Sequence, residues 1–142
     1  AKLSGPIIDR FDMVLALSAM NLQSDGITFK QGLELLDRAA VLRDERNATL
    51  GIKKHLKGQS LDLVLASCFL SKDLHTLWQH KTESLSYRGK VKSLKVARTI
   101  SDLDNKKTVD KNAILESLFL RPRDSYQIYE MTNQGSSQHG NY

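Results

Sequence analysis

Proline occurs at only two places in the chain, Pro6 and Pro122, so the stretch from residue 7 to residue 121 contains no residue that must interrupt a helix. A proline inside a helix deletes one backbone hydrogen bond and clashes with the preceding turn. Leucine is abundant in this interval, while aromatic residues make up only 6% of the chain, a balance that favours helix over sheet. The exception is the continuous apolar run from Met13 to Leu17, which reads as a strand buried on both faces, of the kind found in parallel sheets. A lone strand leaves its backbone donors and acceptors without neighbours. The run is therefore expected to be the remnant of a sheet whose other strands lie upstream. The start at Ala1, with no signal peptide or lipidation site before the apolar segment, is likewise read as a cut inside a longer protein.

Helix boundaries follow from capping chemistry. Thr28 and Gln31 have capping-box spacing, and Leu33, Leu36 and Ala40 then recur on one helical face, with Glu34 and Arg38 as an i, i+4 pair. That helix is expected to reach about Ala48 and to stop at Gly51. Residues 18–27 read as a loop and residues 51–60 as a basic loop. A short helix is expected from Leu61 to Ser67. Ser71 caps a helix with Leu74, Leu77 and Trp78 on its inner side. Ser86 opens another that runs to about Leu103, with Asn105 as terminator. Thr108 is expected to cap the last helix, which Pro122 closes. The polar residues from 123 onward are expected to be disordered.

Twenty-one Lys and Arg oppose sixteen Asp and Glu, for a net charge of +5. This is compatible with an anionic partner such as nucleotide or nucleic acid, and equally with a solvated basic surface. The single cysteine, Cys68, excludes an internal disulfide and a cysteine-based metal framework, which fits a reducing, cytoplasmic compartment. Its apolar neighbours Leu65, Phe69 and Leu70 make it a buried, inert thiol. His55, His75, His80 and His139 show no metal-ligand spacing, so no metal site is expected. The longest apolar runs fall well short of the ~20 residues of a membrane span, so no membrane role is expected.

Two segments carry chemistry. In the first, Ser4 to Leu17, Arg10 sits just before the apolar run, between Asp9 and Asp12. A rigid strand suits a cation that must reach a fixed point outside its own domain, whereas pairing with Asp9 or Asp12 would give Arg10 a merely local role. The segment Lys2-Leu-Ser-Gly-Pro-Ile-Ile-Asp-Arg-Phe-Asp-Met13 resembles the "K-I-S-G-P-L-L-D-R-I-D-L" of magnesium-chelatase-like AAA+ ATPases of the ComM/YifB type. MCM helicases carry a related "S-R-F-D". The resemblance implies that Arg10 is a catalytic arginine finger, reaching across a subunit boundary to a neighbour's γ-phosphate. Guanidinium suits that task because it is a permanent cation with a planar donor fork.

The second segment runs from Leu85 to Leu103, and its Leu94-Lys-Val-Ala-Arg-Thr-Ile100 resembles the family's "L-K-V-A-R-T-I". Arg88 falls on the position the family uses as sensor 2, the lid arginine that contacts bound nucleotide. It belongs to the first turn of its helix, where free N–H groups and the helix dipole also favour an anion. Lys92 and Lys95 follow at i+4 and i+7 and are expected to share a face with it. Val91, Leu94, Val96, Ala97 and Ile100 fill much of the remaining circumference, as in a helix central to a bundle. The alternative is a solvated basic stripe. Gly89 is a poor helix former and is expected to fray this helix or delay its start.

Looser similarity continues elsewhere. Residues 47–58 resemble "L-N-A-H-L-S-G", residues 68–70 resemble "C-P-L", and residues 109–121 resemble the family's final helix. The Pro-rich stretch expected at 18–27 is missing, and the tail from 122 has no counterpart. No G-x-x-x-x-G-K-[ST] cradle is present, and no apolar strand ending in acidic residues, so this chain alone is not expected to hydrolyse or hold ATP. The implied architecture is an all-α lid, a helical bundle over 28–121. It is preceded by a remnant of the α/β ATPase core at 1–27 and followed by a polar tail at 122–142. The implied full-length protein uses ATP and Mg²⁺, pairs this lid with its own ATPase core and neighbouring subunits in a homo-hexamer, and remodels DNA, by branch migration in the ComM manner. Two alternatives stay open: the motor subunit of a true magnesium chelatase, and a non-catalytic helical module that binds DNA through its Lys and Arg faces.

Overall fold

A computed structural model describes residues 5–8, 10–15, 26–52 and 60–121. Among them the only regular elements are helices: α1 (Gly5–Ile8), α2 (Phe29–Thr49), α3 (Leu61–Cys68), α4 (Lys72–Lys81), α5 (Tyr87–Leu103) and α6 (Lys111–Phe119). The all-α expectation holds.

Side-chain oxygens start most of these helices. Thr28 and Gln31 form the full reciprocal capping box of α2. Ser60, Ser71 and Ser86 accept from the N3 amides of α3, α4 and α5. α6 departs from expectation, because its cap is Asp110, whose carboxylate accepts from the Ala113 amide at 2.9 Å, and not Thr108. Buried Val109 sets that register: seating it in the core places the next residue, Asp110, at the helix entry. α2 ends at Gly51, whose φ of +66° a side chain would strain. Asn105, with a φ of 58°, follows α5 in the same left-handed conformation.

α5 is the axis of the molecule. Val91, Leu94 and Ala97 pack with Val64 and Cys68 of α3, Trp78 of α4, and Ala113 and Ile114 of α6, beside Val109. Burying a side chain such as Leu94 or Ile114 completely contributes about 1.5–3 kcal/mol. Two polar side chains caught in this core, those of Trp78 and Ser93, are satisfied locally. The Trp78 indole N–H donates to Ser93 Oγ at 3.1 Å, and Ser93 Oγ donates to the Lys90 carbonyl at 2.8 Å.

α2 is different, for it buries no apolar side chain fully. Leu36 is 59% exposed and Phe29 83% exposed, so the face expected to pack through Leu33, Leu36 and Ala40 is largely open over its first half. The helical period was legible, but over the first half of α2 the described residues offer it no partner surface.

The expected strand is also corrected. Residues 13–15 are irregular; residues 16 and 17 lie outside the described residues. The physical reason is the one that made a lone strand suspect, since no second strand among the described residues offers a ladder. One backbone bond, Val14 N–H to the Leu120 carbonyl at 2.8 Å, ties the segment to the end of α6 instead. Most of the expected loop at 18–27, most of that at 51–60, and the tail from 122 lie outside the described residues. No helix among the described residues is long and apolar enough to cross a membrane.

Candidate functional site

The two arginines singled out in the sequence lie in a region built by α5, the end of α6 and the N-terminal segment. Arg88 is the second residue of α5 and is exposed. Ser86 caps this turn, its Oγ accepting from the Gly89 amide at 3.0 Å, so the helix begins at Tyr87. Gly89 does not delay it. A Cβ built on Gly89 would meet Leu85 Cβ and Ser86 Oγ at 3.3 Å and Arg121 Nε at 3.4 Å. The glycine is buried and allows a close approach; its low helix propensity is offset by the cap and by that packing.

Three ties fasten the N-terminal segment beside this turn. Lys92 Nζ donates to the Arg10 carbonyl at 2.6 Å and pairs with Asp12 at 3.0 Å. Arg121, after α6, donates to the Phe11 carbonyl at 2.8 Å. All of these hold the main chain or Asp12, and none engages the Arg10 guanidinium. Among the described residues Arg10 makes no ion pair with Asp12, because Lys92 takes that carboxylate; Asp9 lies outside the described residues. Arg10 and Arg88 are both exposed, and neither guanidinium has an acceptor among the described residues.

The expected stripe of Arg88, Lys92 and Lys95 is split by its surroundings. Arg88 stays open, Lys92 is spent on the N-terminal segment, and Lys95 lines a cleft shared with Arg43, Arg46, Arg98 and Asp102. Sequence reasoning passed over that second group. In it Arg46 of α2 and Arg98 of α5 share Asp102, with contacts of 2.7, 2.9 and 3.0 Å. The Arg98 side chain is 5% exposed and that of Asp102 7%. Burial pulls the Arg98 guanidinium below its ordinary value, and Asp102 pulls it back. The available signal was the i, i+4 spacing of Arg98 and Asp102 on a helix that also carries the apolar Val91, Leu94, Ala97 and Ile100.

Cys68 is fully buried, with its thiol 3.8 Å from the Leu94 carbonyl. Burial pushes its pKa up to about 11, against a smaller opposing pull from Arg98. It packs the core and does not act as a nucleophile. Among the described residues no group of three His, Cys, Asp or Glu side chains is placed to hold a metal ion.

A family model described as "Magnesium chelatase, subunit ChlI C-terminal" matches residues 34–121. The matched range runs from within α2 to Arg121; it includes Arg88 and leaves Arg10 outside. Comparison with curated proteins and with solved structures finds no match.

Proposed function

This chain belongs to the family of magnesium chelatase subunit ChlI C-terminal domains, and from that premise we propose that it serves a ring-shaped AAA+ ATPase as nucleotide-sensing lid and as donor of a trans-acting arginine. In this reading Arg88 is the sensor that contacts nucleotide bound by the module's own core. Arg10 is the finger that stabilises charge developing on a neighbouring subunit's γ-phosphate.

The observation that supports this most is the division of labour around Arg10. Lys92 and Arg121 hold the Arg10 and Phe11 carbonyls, at 2.6 and 2.8 Å, while the Arg10 guanidinium has no acceptor among the described residues. A surface arginine with no task has no need of a braced main chain. Bracing reduces the entropy lost when the side chain meets a phosphate, and guanidinium then offers a fixed fork to oxygens that gain charge in the transition state. Arg88 adds its charge at a helix N-terminus, where the backbone already favours an anion.

The residues present fit the outer contacts of a triphosphate and no more. The phosphate cradle and the Mg²⁺ ligands belong, in this reading, to the ATPase core, and no step is assigned to them through this chain. That core would also cover Ile7, Phe11, Met13 and Leu15 and the open apolar face of α2, all exposed among the described residues. The work coupled to hydrolysis is DNA remodelling of the ComM kind, in a cytoplasmic homo-hexamer. Chelation by a true magnesium chelatase motor is the second reading, favoured by the family to which the chain belongs.

The test uses the assembled ATPase that contains this module. Arg10→Ala should leave ATP binding nearly intact and lower turnover by about 10³-fold. Mixing Arg10→Ala subunits with subunits mutated in the phosphate cradle should restore part of the activity. Unchanged turnover in Arg10→Ala, or no recovery in any mixture, refutes a finger acting in trans. Addition of branched DNA or of a porphyrin then separates the two readings by which one accelerates hydrolysis.

A further inference from the structure

Between α2, α3 and α5 lies a cleft of about 250 Å³, lined by Arg43, Arg46, Lys95 and Arg98 and by a single carboxylate, Asp102. Its inner wall is a buried triad of two cations against one anion. The Arg46 and Arg98 side chains are 9% and 5% exposed, and both lean on Asp102. The other donors of Arg98 go to the neutral carbonyls of Lys106 and Lys107, at 2.6 and 2.9 Å. The Nε atoms of both arginines are buried and have no acceptor among the described residues. One positive charge in this wall is thus left over, in surroundings where charge is weakly screened and an unpaired cation is costly.

The mouth adds to that excess. Lys95 is exposed and has no acceptor among the described residues. Among the described residues Arg43 pairs with its sequence neighbour Asp44, at 3.0 Å, with side chains 55% and 38% exposed. Surface pairs of this kind are weak and exchange readily for a better anion.

We propose that this cleft binds a compact phosphate dianion, the terminus of a phosphomonoester or of a polyphosphate, independently of the roles given to Arg10 and Arg88. Cations from α2 and α5 converge on one small, half-open cleft, so the site rewards dense charge on a small group. A nucleic-acid backbone, with one charge per phosphate, gains less from such a cleft than a terminal phosphate does. Because Arg46 and Asp102 join α2 to α5, an anion seated beside them would also brace α2 against the axis of the bundle.

The full chain is titrated with pyrophosphate, with inorganic phosphate and with a thymidine oligonucleotide, against sodium chloride at matched ionic strength, with backbone amide shifts as the readout. The expected result is saturable shifts centred on Asn47, Lys95 and Thr99, with pyrophosphate bound more tightly than phosphate and the oligonucleotide weakest. Lys95→Gln and Arg43→Gln should each weaken pyrophosphate binding about tenfold, in line with loss of one charged hydrogen bond. Both spare the buried triad, so their melting temperatures in chloride should match that of the parent chain. Shifts no larger than those in chloride overturn the proposal. So do shifts centred on Arg10 and Arg88, affinity unchanged by either substitution, or an oligonucleotide that outcompetes pyrophosphate in the cleft.

Discussion

Arg46 of α2 grips Asp102 of α5 through both terminal nitrogens, at 2.7 and 2.9 Å, one on each carboxylate oxygen. Since α2 buries no apolar side chain fully, this pair does much of the fastening that apolar packing does elsewhere in the bundle. Asp102 is also the counter-charge of Arg98. Asp102→Asn should therefore cost about 3–5 kcal/mol, because it strands two buried guanidinium groups. Arg46→Met should cost clearly less, since Asp102 keeps Arg98 and one desolvated cation is gone. Urea denaturation of the two variants measures the difference, and equal losses would contradict the shared-carboxylate arrangement.

The α6 cap gives a second comparison. Asp110→Ala should cost about 1 kcal/mol, while Thr108→Ala, two residues away and exposed, should stay within about 0.5 kcal/mol. Lys106 and the Ala113 amide hold the Asp110 carboxyl below its usual range. A carboxyl depressed in the folded state contributes stability above its unfolded value, near 3.9, and loses it as pH falls through the folded value. The difference between wild type and Asp110→Ala should accordingly be full at pH 6 and shrink below about pH 4. Thermal melts across that range check it.

Which features were legible in the sequence follows from how local they are. Thr28 with Gln31, Ser71 and Ser86 were readable as caps because a cap needs only a short side chain and an amide three residues on. Thr108 and Asp110 compete on those terms, and a tertiary fact, the burial of Val109, decides between them. The apolar period of α2 was readable too, but a period does not say whether a partner surface exists. Arg98 and Asp102 were not singled out in the sequence, because their partner Arg46 lies fifty-six residues away from Asp102. Arg10 and Arg88 were found by resemblance, and only the structure showed Lys92 leaving the basic stripe to hold the segment that bears Arg10.

Leu94 is fully buried at the centre of α5 and touches the shared core. Leu94→Ala should lower stability by about 2–5 kcal/mol, the range for a leucine whose cavity refills only in part. A loss below 1 kcal/mol would mean that α5 is not the axis around which the other helices pack.

Cys68 should be silent toward thiol reagents while the protein is folded. With its pKa pushed up to about 11, it holds little thiolate at pH 8, and its sulfur has no exposed surface. Labelling by a disulfide reagent should follow the unfolding equilibrium and accelerate with urea. Because the folded pKa lies above the unfolded value of about 8.5, the neutral thiol stabilises the fold below that pH. This contribution should decline as pH rises from about 8.5 toward 11. Fast labelling of the native chain at pH 8 would place Cys68 outside the core.

The last prediction concerns the hold on the N-terminal segment. Lys92 meets the Arg10 carbonyl and Asp12, Arg121 meets the Phe11 carbonyl, and the Val14 amide reaches the Leu120 carbonyl. The bridge to Asp12 is half in solvent, with side chains 16% and 70% exposed, so it contributes at most about 1 kcal/mol. The bond to the Arg10 carbonyl adds a similar amount. Lys92→Met should thus speed hydrogen exchange at the Val14 amide by about five- to thirty-fold, the factor that 1–2 kcal/mol gives. Exchange in the middle of α5 should be unchanged, because Lys92 points away from the core. Lys95→Met, one turn further along the same helix, makes none of these ties and should leave Val14 as it was. If both substitutions loosen Val14 equally, the segment is held by general charge attraction to α5. If only Lys92→Met does, the particular contacts at Arg10 and Asp12 are what present the arginine.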